Sequence, residues 1–265
     1  VAGLGLLELT KLPIDAVPDI TNRQVQITTV APALAQAGFA VIAIDLPLHG
    51  VAATVVGRDG VLYEGAAGEA KPDTLFRNAS MTKAVATTAA LQLVEQGRVD
   101  LDATVASIAP EFGELQVLDH FDGREPVLRA PKTQATVRQL MNHTAGCGYH
   151  FLNEKLFAYC ADQNFPNPLE GIKQSISAPL VHDPGTVWEY GVSTDWLGMV
   201  VEAVSGQTLA DYLAEHVYGP LGMTDSTFDP TEEQRARLLP VRFRAPDGTL
   251  VATPLDLPAA PEWDA

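Results

Sequence analysis

Short β-rich runs at residues 53–56 and 61–65 flank Arg58-Asp59-Gly60. An Asp-Gly pair between two such runs predicts a hairpin, because these residues accept the backbone angles a tight turn needs. The pattern returns at 241–244 and 249–252, around Pro246-Asp247-Gly248. Between the two hairpins the pattern turns helical. Apolar residues from Met81 to Val94 occupy nearly every face of a helix predicted over 80–96, with Gly97 as its stop. A helix apolar nearly all round is expected to be buried. Another is predicted over 194–204, ending at Ser205-Gly206, and a third opens at Thr208 with Asp211 three residues on, as in a capping box. Strands at the two ends with helices between them predict an α+β fold, a sheet carrying a helical insertion over about 80–225.

Candidate chemistry concentrates at the mouth of the first helix, in Phe76-Arg-Asn-Ala-Ser80-Met-Thr-Lys83. Residues three apart share a helix face, so Ser80 and Lys83 are neighbours. Ser80 falls in the first turn, where unpaired N–H groups and the helix dipole favour a developing negative charge. Lys83 is the cation of this apolar turn. Desolvation there is expected to lower its pKa and make it a base for the Ser80 hydroxyl. A bare S-x-x-K pattern equally describes a capping serine and a surface lysine; its place before an apolar helix is what favours catalysis. A second element is Trp188-Glu-Tyr190-Gly-Val192-Ser-Thr-Asp, in which Tyr190 precedes a predicted helix. A phenol there can project into a cleft and relay protons beside an ammonium, or it can simply be a core aromatic.

Four segments, 76–83, 140–146 (Leu-Met-Asn-His-Thr-Ala-Gly), 188–198 and 219–228, occur in the order found in class C β-lactamase-like serine hydrolases. The chain resembles that family over roughly residues 52–245, and its family VIII carboxylesterase branch in particular. The resemblance implies a β-lactamase/DD-peptidase-like fold: an antiparallel sheet with flanking helices and a helical subdomain. It implies Ser80 as the acylated nucleophile, Lys83 as general base, Tyr190 as proton relay, and the Ser80 N–H as one oxyanion donor. His143 is expected to hold its turn rather than act as a triad base. Class C β-lactamases carry Asn two residues after the tyrosine, where this chain has Val192, a substitution that resembles the esterases and disfavours a β-lactam side chain. Tyr149 and Phe151 are candidates for an apolar pocket wall, with core packing the alternative. The family's third motif, which carries the second oxyanion N–H, does not occur between Tyr190 and Ala265. Lys132-Thr133-Gln134 precedes Tyr190 and lacks its Gly, so the domain is expected to be partial and C-terminally truncated.

The implied function is a metal-free and cofactor-free hydrolase of small carboxylic esters. The alternatives are a β-lactamase or D-Ala-D-Ala peptidase relative and, in a different class, an inactive fragment or binding-only homologue. Composition narrows the partners further. With 17 Lys and Arg against 33 Asp and Glu, the formal charge is −16, which repels phosphate backbones and anionic lipids. No apolar run is long enough to span a membrane, and the lack of a signal-peptide pattern leans towards the cytoplasm. Cys147 and Cys160 lack metal-ligand spacing and read as two free thiols.

Residues 1–50 sit apart from this picture. Part of the segment resembles heavy-metal efflux pumps, and residues 38–50 resemble an α/β-hydrolase strand and loop. No G-x-S-x-G elbow supports the latter. The segment is therefore set apart as atypical, with 51–265 as the hydrolase portion.

Overall fold

The computed structural model describes residues 50–252, so the atypical segment up to residue 49 and the C-terminal tail lie outside the described residues. The chain divides after Thr74 into two units. In the first, β1 (Gly50–Gly57) pairs antiparallel with β2 (Gly60–Gly68), from Gly50 opposite Gly68 to Gly57 opposite Gly60, with an irregularity between Val55 and Val56. Gly60, at φ +127°, takes the turn angle that other residues resist. The hairpin expected from Arg58-Asp59-Gly60 is thus present.

The second unit is built mainly of helices. A single 3-10 turn, Ala79–Met81, leads into α1 (Thr82–Glu95). Helix α2 (Val137–Met141) opens on Thr136 and Gln139, whose side chains and backbones cap each other reciprocally. Helix α3 (Glu154–Asp162) is capped by Asn153. Helix α4 (Ser193–Ser205) ends at Gly206 in the left-handed conformation, as the Ser-Gly pair foretold. Helix α5 (Leu209–Leu213) begins at Thr208, whose hydroxyl accepts from the Asp211 N–H at 3.1 Å, and runs on as a π turn, Ala214–Tyr218. Helix α6 (Glu232–Ala236) is short.

Two strand pairs accompany these helices. Strands β3 (Val117–Asp122) and β4 (Glu125–Arg129) form an antiparallel hairpin inside the region expected to be helical. Asp122-Gly123, with Gly123 at φ +64°, is the same turn signal as in β1–β2. Strands β5 (Arg242–Arg244) and β6 (Leu250–Ala252) form the second expected hairpin. Among the described residues these pairs remain separate two-stranded ladders.

The core lies where α1, α4 and α5 meet, closed by Val137 and Leu140 of α2 and by Phe112. Helix α1 differs from expectation, because it buries one stripe rather than its whole circumference. Ala86, Ala89, Ala90 and Leu93 are covered, while Leu91 is 46% exposed. The alanines let neighbouring helices approach closely, and Leu93, Leu197 and Leu213 each gain about 1.5–3 kcal/mol by leaving water. Trp196 anchors α4 in this core. Its indole N–H donates to the Ile176 carbonyl at 2.9 Å, and its ring meets Phe112 edge-on at 5.1 Å.

Candidate active site

Ser80 sits in the turn that opens α1, exposed to solvent. Its hydroxyl has no hydrogen-bond partner among the described residues, which leaves it free to meet a ligand. The preceding residue, Ala79, is held at φ +43°, a left-handed conformation that costs a non-glycine residue about 1–2 kcal/mol. Such strain at the entrance to a candidate nucleophile is a feature of functional turns.

One turn on, the half-buried Lys83 ammonium donates to the Tyr149 hydroxyl at 3.0 Å. Its Nζ lies 5.4 Å from the centre of the Tyr149 ring and 5.2 Å from that of Tyr190. The two phenol rings stand edge-on at 5.6 Å. The chain thus brings Lys83, Tyr149 and Tyr190 together from α1, from the segment after α2, and from the segment before α4.

Backbone pairing explains this convergence. The turn at 143–148 is laced to the segment at 181–189: Glu189 N–H donates to the His143 carbonyl at 2.9 Å, Gly185 N–H to Thr144 at 2.7 Å, and Val181 N–H to Gly146 at 2.8 Å. Gly146, at φ +90°, has the His182 carbonyl against the space a Cβ would occupy. At Gly191 a Cβ would stand 2.5–2.6 Å from the backbone of Cys147 and Gly148. Only glycine lets these chains approach so closely, and their approach sets Tyr149 beside Tyr190.

Aromatic rings frame the group. His143 lies 5.0 Å from the Tyr190 ring, and Trp188, 63% exposed, stacks on it at 6.4 Å. Phe151, 55% exposed, stacks on Tyr149 at 4.8 Å. His143 sits at φ +59° in its turn, and its Nδ1 is enclosed without a hydrogen-bond partner among the described residues. Burial and the Lys83 charge hold its pKa below the ordinary value, so it is a neutral imidazole at pH 7.

Electrostatics correct one sequence expectation. Burial pushes the Lys83 pKa down, but the Tyr149 hydrogen bond and the nearby Tyr149, Asp195 and Tyr190 groups outweigh it, and the net direction is upward. Lys83 is therefore an ammonium in the resting molecule. Burial raises the Tyr149 pKa, Asp195 adds to this, and Lys83 opposes it, so that phenol is neutral at pH 7. Two of the side chains expected at the substrate have other neighbours here. Tyr149 is a polar partner of the lysine. Val192 is 4% exposed and belongs to the core, beside a small cleft shared with Gly148, His150, Leu156 and Cys160. As the residue immediately before α4, it is carried inward by that helix rather than out to a ligand.

Sequence reasoning left Asp195 without a role, although an acid in an otherwise apolar helix start was the available signal. Among the described residues no group of His, Cys, Asp and Glu is arranged to hold a metal, and no helix is long and apolar enough to cross a membrane. Both cysteines are free. Burial pushes the Cys147 thiol up to about 12.

The chain belongs to the beta-lactamase family, whose model matches residues 40–260, and the resemblance read from the four ordered motifs is borne out. It is 37% identical to lovastatin esterase of Penicillium rubens over 210 residues, which are 76% of this chain and 52% of that protein. It is 41% identical to monacolin J acid methylbutanoyltransferase of Aspergillus terreus over 158 residues, 59% of this chain and 38% of that one. Among solved structures, unliganded simvastatin synthase (LovD) from Aspergillus terreus superposes with a TM-score of 0.71 at 33% identity, covering 78% of this chain and 56% of that one. The chain spans about half the length of these relatives or less. The fold is that of the β-lactamases and DD-peptidases, and the family is one of serine hydrolases and acyltransferases.

Proposed function

We propose that this chain carries the nucleophile half of a carboxylesterase that works through an acyl-enzyme on Ser80. The observation that carries the reading is the Lys83 amine, hydrogen-bonded to Tyr149, within 5.2 Å of the Tyr190 ring and one helical turn from the exposed Ser80. In this reading Ser80 Oγ attacks the ester carbonyl carbon and its proton passes to Lys83 in the neutral amine form. The bond to the alcohol oxygen breaks, and the alcohol leaves with a proton delivered through Tyr190. Water then attacks the acyl carbon, gives a proton back through the same groups, and releases the carboxylic acid with Ser80 restored. The Ser80 N–H supports the oxyanion of each tetrahedral intermediate.

Ester rather than β-lactam cleavage is supported by the similarity to lovastatin esterase. Val192 contributes only by lacking an amide, since it is buried. A second reading, acyl transfer to an alcohol in place of water, is favoured by the methylbutanoyltransferase relative.

The test is to treat the 265-residue chain with a fluorophosphonate and map the adduct. Labelling of Ser80, lost in Ser80→Ala, is expected. A label at Ser193 or Ser205, or none at all, rejects the reading in favour of another nucleophile or a binding-only fragment. A short-chain p-nitrophenyl ester should be turned over in preference to a chromogenic cephalosporin, and the reverse order overturns the ester assignment. Adding a primary alcohol separates the two esterase readings: a new ester product favours transfer, and an unchanged yield of acid favours hydrolysis.

A further inference from the structure

Between Trp188 and Tyr190 stands Glu189, whose side chain is 18% exposed. Acidic side chains ordinarily face water, but this one turns inward and bridges separate segments. Its Oε1 accepts from Asn153 Nδ2 at 3.1 Å, and its Oε2 lies 3.3 Å from His182 Nε2. The Asn153 amide is fixed in this sense, because its Oδ1 caps α3 by accepting the Leu156 N–H at 3.1 Å, which leaves Nδ2 for Glu189. The Asn153 N–H donates in turn to the Tyr149 carbonyl at 3.0 Å. One carboxylate therefore joins the turn that carries Tyr149, the start of the strap at His182, and the residue before Tyr190. Among the described residues the Glu189 N–H, on the His143 carbonyl, is also the last backbone hydrogen bond from the strap to the 143–148 turn before α4 begins. A single N–H is a pivot about which the chain can swing, and the two side-chain bonds supply the further points that stop it.

We propose that Glu189 is a positioning residue: its carboxylate clasps Asn153 and His182 and so fixes Tyr190 beside Tyr149 and Lys83, where the phenol delivers a proton to the departing alcohol. The carboxylate does not touch substrate and acts through Tyr190. Its part in proton delivery rests on the esterase reading, whereas its hold on the ring does not, and the two are tested separately.

The first test needs no activity. In a chain carrying isotope-labelled tyrosine, the edge-on Tyr149 and Tyr190 rings, 5.6 Å apart between centres, should give a proton–proton Overhauser contact. Glu189→Ala should lose it. Glu189→Gln, which keeps an oxygen for the Asn153 amide, should retain it. Asn153→Ser keeps a cap for α3 but has no amide to offer, so it should weaken the contact. A contact that survives in Glu189→Ala, or in Asn153→Ser where the alanine variant does not fold, overturns the clasp, as does its loss in Glu189→Gln.

The second test compares kcat/KM for an alkyl ester and for the p-nitrophenyl ester of the same short acid. An alkoxide needs a proton to leave and p-nitrophenolate does not, so a displaced Tyr190 penalises the alkyl ester selectively. In Glu189→Ala the alkyl ester should lose about 100-fold, the loss that a misplacement near 1 Å can bring, and the p-nitrophenyl ester much less. Destabilisation alone removes whole molecules and lowers both in the same proportion. Equal losses with the ring contact gone confine Glu189 to the fold and overturn its part in proton delivery. If the unmodified chain cleaves neither ester and takes no phosphonate at Ser80, the esterase reading fails, and the ring contact alone decides whether Glu189 holds Tyr190.

Discussion

Two opposing forces act on the Lys83 amine. Half-burial disfavours its charge, while a phenol acceptor at 3.0 Å and the Asp195 carboxylate favour it, and the second group prevails. Read alone, an apolar helix flank predicts the opposite direction, because sequence shows what surrounds a residue along the chain and not what folds over it. The phenol that reverses the prediction lies 66 positions away. Tyr149→Phe tests its weight. Losing a hydrogen bond to a charged donor at a half-buried site should cost about 1–2 kcal/mol at pH 7 in denaturant unfolding. The sign of the pH dependence follows from the raised pKa. The stabilisation is whole below the ordinary lysine value of 10.5 and is lost as pH rises through the higher folded value. Burial raises Tyr149 in the same direction. The deficit of Tyr149→Phe should therefore shrink in strongly alkaline buffer, and a deficit constant to the alkaline limit would show that the ring's packing, and not its hydroxyl, is what matters.

Among the elements, those with a local signature were legible. Asp-Gly turns marked β1–β2 and β5–β6, glycines marked the ends of α1 and α4, and Thr208 marked the start of α5. Hairpin β3–β4 carries the same Asp-Gly mark, and α2 carries a reciprocal Thr136–Gln139 cap. Both interrupt a region whose apolar content reads as helix throughout, which hides them from a reading by periodicity. The close approach at Gly191 left no such mark. Nothing in its neighbours along the chain shows that the backbone of Cys147 and Gly148 comes to rest against it. Gly191→Ala should therefore be severe. The new methyl meets backbone that cannot swing aside, and overpacking of this kind typically costs about 1–3 kcal/mol. Relief by separation would carry Tyr190 away from Lys83, and a misplacement near 1 Å can cost roughly 100-fold in rate. Ser80 phosphonylation in a variant that remains folded at the assay temperature is the measurement. An unchanged rate would mean that Tyr190 is not held by this approach.

At the scale of the molecule, the site is a junction of segments far apart in sequence, and Asp183 ties one of them down. Arg129 at the end of β4 donates to both Asp183 oxygens at 2.8 Å, and the Lys132 N–H adds a third bond at 2.9 Å. Asp183 lies in the segment that pairs with the 143–148 turn and then delivers Tyr190, so the ion pair fixes the far end of the strap that positions the phenol. The Arg129 guanidinium and the Lys132 N–H hold the Asp183 carboxyl well below the usual carboxylate range. For a depressed pKa the stabilisation is present above the ordinary aspartate value of 3.8 and is lost as pH falls through the folded one. Asp183→Asn should lower Tm at pH 7, where the charge it removes is paired. The gap to the unmodified chain should narrow as pH falls below about 4, because acid then weakens in one molecule what mutation has removed from the other. Asp102 and Asp225, held down by other arginines, titrate in both proteins and drop out of the difference, whereas Asp119 accepts from the same Arg129 at 2.8 Å and shares in the change. Parallel Tm curves from pH 7 to pH 2 would show that the Asp183 charge contributes nothing beyond the shape of its side chain. A gap that closes, together with Ser80 phosphonylation slowed at neutral pH in Asp183→Asn, would tie the acid sensitivity of the fold to the strap that carries Tyr190.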